Sequence, residues 1–130
     1  MNSKEIAEFK KILDEIKENL SIPLAELNAE NIDWKKMKTG NIGCYSHLRK
    51  TLYINQEHRD DPIEFVISTV AHELHHMWQH QKWGWKYFIL CMPPIRFYFL
   101  EPKAIQVENE VDKILGMQGI RSKDKGTGII

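Results

Sequence analysis

The run His72-Glu73-Leu74-His75-His76 is the part of this 130-residue chain whose residue types and spacing could do chemistry. Residues four apart on an α-helix share a face, about 6 Å apart along the axis. On a helix, His72 and His76 can therefore aim both imidazoles at one ion. Glu73 sits to one side, where it can reach a water held by that ion. Such a spacing suits a zinc site that activates water.

A catalytic zinc takes three protein ligands and leaves one position open. A glycine three residues after the second histidine and a histidine three further on would supply the third ligand from the same segment. Gln79 and Lys82 stand there instead. His80 lies a further turn along, and with His75 it reads as an ordinary surface or supporting residue. The remaining source is the segment from Glu101 to Leu115. On a helical wheel, Ala104, Ile105, Glu108, Val111, Asp112 and Leu115 share one face. Glu108 is an acid on that apolar, inward side. An unpaired buried carboxylate is costly, so a metal is its natural partner. Glu108 is the expected third ligand. Asp112, one turn on, is expected to accept the free N–H of a ligand histidine. Glu101 also maps inward, but it opens the helix and is expected to cap it; it is the reserve ligand. Glu110 is expected to face solvent and pair with a lysine.

These residues need elements to hold them. Ile63, Ile67, Val70, Leu74, Met77 and Trp78 fall on one face of a helix, with His72 and His76 roughly opposite. Asp61 is its expected cap, Pro62 its first residue, and the pattern runs to about Lys82 before Gly84. Upstream, Ile6, Phe9, Leu13, Ile16 and Leu20 mark an amphipathic helix over Ser3 to Leu20. Between the two, Gly40 to Tyr45 and Thr51 to Asn55 are β-prone, with Ser46 to Lys50 as the turn of a hairpin. Gly40 and Gly43 can admit a close backbone. The expected fold is α+β: a mainly helical domain over residues 1–118 with a small antiparallel sheet, then a loose tail over 119–130.

The eighteen basic and eighteen acidic residues cancel, which argues against nucleic acid as a partner. Cys44 and Cys91 match no redox or zinc-knuckle spacing and read as two free thiols. The N-terminus is charged and amphipathic, unlike a secretory signal, so a cytoplasmic location is expected. The apolar stretch Tyr87 to Leu100 is too short to span a bilayer. It reads as a buried segment or apolar wall, or one touching a membrane surface. The surrounding aromatics, Trp78, Trp83, Trp85, Tyr87, Phe88, Phe97, Tyr98 and Phe99, are expected to lie mostly in the core.

With these motifs in hand, the chain resembles the gluzincin group of zinc metallopeptidases. Those combine a His-Glu-x-x-His helix with a downstream Glu-x-x-x-Asp helix, matched here by His72, Glu73, His76, Glu108 and Asp112. Val111 stands where alanine is common. The order of elements, over residues 40 to 115, is similar to a minimal zincin domain of the small prokaryotic or phage-encoded kind. The resemblance implies Zn²⁺ as cofactor, a peptide or protein as substrate, and Glu73 as general base. It also implies a donor for the oxyanion, with Tyr98, Tyr87, Arg96 and His47 as candidates. An edge strand, here Asn41 to Tyr45, would bind the substrate backbone. The alternative is a zinc-binding regulatory or interaction module that keeps the site without turnover.

Overall fold

The computed structural model describes residues 1–116, so the expected tail over 119–130 lies outside the described residues. The domain is α+β. Its elements run α1 (Ser3–Lys17), β1 (Ile32–Lys35), β2 (Gly43–Ser46), β3 (Thr51–Asn55), α2 (Ile63–Trp83), α3 (Lys86–Leu90), α4 (Ile95–Phe99) and α5 (Glu101–Leu115).

Helix α1 follows the expected stripe, with Ile6, Phe9, Leu13 and Ile16 buried. Its start is a capping box: Asn2 Oδ1 accepts from the Glu5 amide, and Glu5 accepts from the Asn2 amide. The Glu5 carboxylate also takes a forked pair of bonds from Arg59 and one from the Trp34 indole. One side chain thus ties α1 to β1 and to the turn that precedes α2.

The sheet is mixed rather than antiparallel, in the order β1-β3-β2. β2 and β3 form the expected hairpin, with Tyr45 opposite Leu52. β1 adds to the other edge in parallel, with Ile32 opposite Leu52. The central strand β3 has both edges paired, and its Leu52 and Ile54 sit in the core. Gly43 is where the sheet meets α2. A Cβ there would lie 2.8 Å from the Tyr53 carbonyl oxygen and 3.3 Å from Thr69 Cγ2. Only glycine lets the strand come this near.

Helix α2 is the centre of the domain, packed by the sheet, α1 and α5. Its expected cap is absent. Asp61 is engaged by His58 Nδ1 at 2.8 Å, and Pro62 precedes the helix without a side-chain cap. The histidine side of α2 is enclosed along with its apolar side. Val66 to Met77 are buried all round, as are Gln79 and His80. The segment carrying Ile22, Ala25 and Leu27 folds down onto α2, where the Ala25 amide meets the Leu74 carbonyl and the Pro23 carbonyl accepts from His75 Nδ1. His80 is covered instead by Tyr45, whose hydroxyl lies 2.7 Å from Nδ1, and by the Tyr87 ring stacked on it. The expectation for both was a surface or supporting residue, and both are buried.

The stretch 87–100 makes two short helices joined across Met92 to Pro94. Gly84, at φ +57°, turns the chain out of α2 into this cap. The expectation that its aromatics fill the core fails. Tyr87 is buried, whereas Trp85, Phe88, Phe97, Tyr98 and Phe99 are exposed. Helices five residues long have one inward side each, here taken by Tyr87 and Arg96, and the rest must point out.

Candidate metal centre

Two turns of α2 and the first turn of α5 build the site. Both histidines leave α2 toward α5, with ring centroids 4.9 Å apart. His72, Glu73 and His76 form a buried group whose ligand atoms lie within 4.8 Å of one another, within range to hold a metal ion. The second acid at this point is Glu101, not Glu108. Glu101 Oε1 touches His76 Nε2 and lies 3.5 Å from His72 Nε2. Its side chain is 2% exposed. The expected cap role is therefore wrong for Glu101: it is the first residue of α5, and its carboxylate turns inward across α2.

Glu108 takes a different position. Its Oε2 lies 2.8 Å from His72 Nδ1, on the side of the ring away from Glu101. A carboxylate can only accept, so Nδ1–H donates and the Nε2 lone pair is left facing the site. The job expected of Asp112 is thus done by Glu108. Asp112 is buried one turn further along α5, and the Nδ1 atoms of both site histidines are already engaged. Glu101 and Glu108 are seven residues apart, two turns of one helix face, which is how both reach His72.

His76 is oriented by Gln79, a residue whose spacing gave no sign of a role. His76 Nδ1–H donates to Gln79 Oε1 at 2.8 Å, and Gln79 Nε2 donates to the Leu100 carbonyl at 3.0 Å. The same amide therefore sets the histidine and ties it to the chain just before Glu101. Such outer contacts fix ring orientation in metal sites.

The electrostatics of the group are unusual. Burial pushes the Glu73 carboxyl up to about 8, against the pull of His72. Burial opposes positive charge at His72, but the Glu101 and Glu108 carboxylates override it and lift the imidazole to about 10, so the surroundings of Nε2 favour a bound cation there, whether a proton or a metal ion. Glu101 is the converse. Burial resists its charge, and the two histidines still hold it down at about 2. His76 is lowered, chiefly by burial.

Six buried atoms in this small volume have no hydrogen-bond partner: Nε2 of His72 and of His76, and both carboxylate oxygens of Glu73 and of Glu101. Each unsatisfied buried polar group costs roughly 1–3 kcal/mol. Two imidazole nitrogens and two carboxylates converging without hydrogen-bond partners fit a metal cation.

The other expected residues scatter. Arg96 comes closest, with Nη2 3.6 Å from Glu101 Oε1. Tyr87 is buried in the cap, its hydroxyl pKa raised by burial. His47 packs edge-on to Phe88 and Tyr87, with ring centroids 4.9 and 6.0 Å away. Tyr98 is 77% exposed on the outer side of α4 and is not brought to the site. Glu110, expected to pair with a lysine, accepts from the Ser21 amide and hydroxyl and so anchors the chain after α1 to α5. Cys44 and Cys91 are free thiols, as expected. Comparison of the chain with protein-family models, curated proteins and solved structures finds no match.

Proposed function

We propose that this protein is a zinc-dependent metallopeptidase in which His72, His76 and Glu101 hold the ion and Glu73 is the general base. The observation that carries the reading is the convergence of Nε2 of both histidines and the Glu101 carboxylate in a buried pocket without hydrogen-bond donors. Glu108 and Gln79 hold the two rings from behind. Zinc bound there would supply Lewis acidity, polarising a carbonyl and lowering the pKa of water toward 7.

The chain's own residues supply the rest. Glu73 stands 3.9 Å from His72 Nε2, beside the ligands. Its burial raises its affinity for a proton. It can take one from the attacking water and return it to the leaving nitrogen. Arg96 is the cation nearest these groups and the best-placed donor for a developing oxyanion. The exposed edge of β2 lies beside α2 and offers backbone pairing to an extended substrate.

A second reading has its own support. His72, Glu73 and His76 are all fully buried, and Glu101 is 1% exposed. Arg96 of α4 lies against Glu101, so the α3–α4 cap is the element that would move to admit a substrate. A chain whose cap stays shut would be a zinc-stabilised interaction module. The discriminating experiment incubates zinc-loaded protein with a broad peptide library and reads cleavage by mass spectrometry. The peptidase reading expects cleavage by the parent and none by Glu73→Gln, with zinc content unchanged. Zinc in both and cleavage by neither would favour the module.

A further inference from the structure

Ten large hydrophobic residues are exposed among the described residues, and seven of them lie between Trp85 and Phe99. Trp85, Phe88, Ile89 and Met92 belong to α3 and its flanks. Phe97, Tyr98 and Phe99 close α4. A concentration of this kind on a small domain marks a surface that meets something apolar.

Charge says what that something is. No acidic residue occurs from Leu74 to Leu100, while the exposed Lys82 and Lys86 do, and Arg96, the third cation there, turns inward to Glu101. This stretch is +3 (three cations, no anions), so the remainder of the neutral chain is −3. The β2–β3 turn extends the patch. His47 packs against Phe88, and Lys50 lines one pocket with Gly84. Leu48 in that turn is 79% exposed, and Arg49 beside it adds a further exposed cation.

We propose that the α3–α4 cap and the β2–β3 turn form a docking surface for an anionic lipid bilayer. Tryptophan and tyrosine prefer the headgroup level, where an apolar ring and a polar edge are both satisfied. Flanking lysines and arginines meet anionic headgroups. The short helices suit insertion at the interface rather than across it, and among the described residues no helix is long and apolar enough to cross a membrane. A second copy is a poorer occupant, because a two-fold contact sets this cationic patch against itself.

The test is co-sedimentation of the full chain with vesicles of phosphatidylcholine, with and without phosphatidylserine. The protein pellets with the anionic vesicles, and added salt releases it. Trp85→Ser and Phe99→Ser each weaken partitioning by roughly tenfold, and Lys86→Glu with Arg49→Glu does so by a similar factor. All four positions are exposed, so circular dichroism should be unchanged. No pelleting with either vesicle would overturn the proposal, as would binding by the Trp85 and Phe99 variants equal to the parent. So would a concentration-dependent dimer that these variants abolish, which would assign the face to a second copy.

Discussion

His72 Nδ1 lies 2.8 Å from Glu108 Oε2, and that contact decides which nitrogen of His72 faces the site. With Nδ1–H committed to Glu108, Nε2 turns to His76 and Glu101. Two acids on one face of α5 therefore have different jobs. In the proposed site Glu101 is a ligand, and Glu108 orients one.

These jobs are separable by mutation. Glu101→Ala should abolish stoichiometric zinc binding. Glu108→Gln should leave one zinc per chain, held about 10–100-fold more weakly. Competition against a chromophoric chelator reads both affinities. Equal losses in the two variants would contradict the division of roles.

Arg96 and Tyr98 were equal candidates for the oxyanion on sequence grounds. The structure separates them by position. Arg96→Gln should lower kcat by about 10²-fold with zinc retained, and Tyr98→Phe should leave it within about twofold of the parent. A large effect of Tyr98→Phe on kcat would show that α4 turns its outer side to the substrate.

His75 gives the protein an acid-linked instability. Burial disfavours its charged form, and the bond to the Pro23 carbonyl only partly offsets this, so the pKa falls from 6.5 to about 4. Between those values the unfolded chain binds the extra proton. Stability is then present above 6.5 and is lost as pH falls toward 4. At pH 5 the loss is roughly 2 kcal/mol relative to neutral pH. His75→Gln should remove it, so that urea unfolding of the metal-free variant gains by that amount on the parent between pH 7 and pH 5. A stability difference that does not change with pH would contradict the assignment.

Gly43 sits between Tyr53 of β3 and Thr69 of α2. Gly43→Ala forces a Cβ to within 2.8 Å of the Tyr53 carbonyl oxygen, a backbone atom that cannot swing aside. The expected cost is roughly 1–3 kcal/mol in denaturant unfolding. An alanine variant as stable as the parent would mean that Gly43 stands further from the Tyr53 carbonyl of β3.

Much of this was legible beforehand, and the failures have physical reasons. His72, Glu73 and His76 follow from helical spacing alone, which fixes their relative positions wherever the helix packs. The wheel correctly set both Glu101 and Glu108 inward. It could not say which end of α5 lies against which histidine, because that depends on how α5 crosses α2. Pro102 beside Glu101 looks like an ordinary helix start, which favours a cap over an inward carboxylate there. Spacing leaves His75 and His80 open between surface and supporting positions because the 22–27 segment that covers His75 has no periodicity to announce it. β1 was missed because four residues pairing in parallel with a strand sixteen positions on leave no local signature. The cap aromatics were assigned inward on hydrophobicity, which says nothing about how much surface two five-residue helices can bury.

The central claim is the ligand set, and a crystal structure of the zinc-loaded protein with data collected at the zinc edge tests it most directly. The account predicts one anomalous peak about 2.0–2.2 Å from His72 Nε2, His76 Nε2 and a Glu101 oxygen, with Glu108 still on His72 Nδ1. A peak coordinated by Glu108 in place of Glu101, or no peak at the paired histidines, would contradict it.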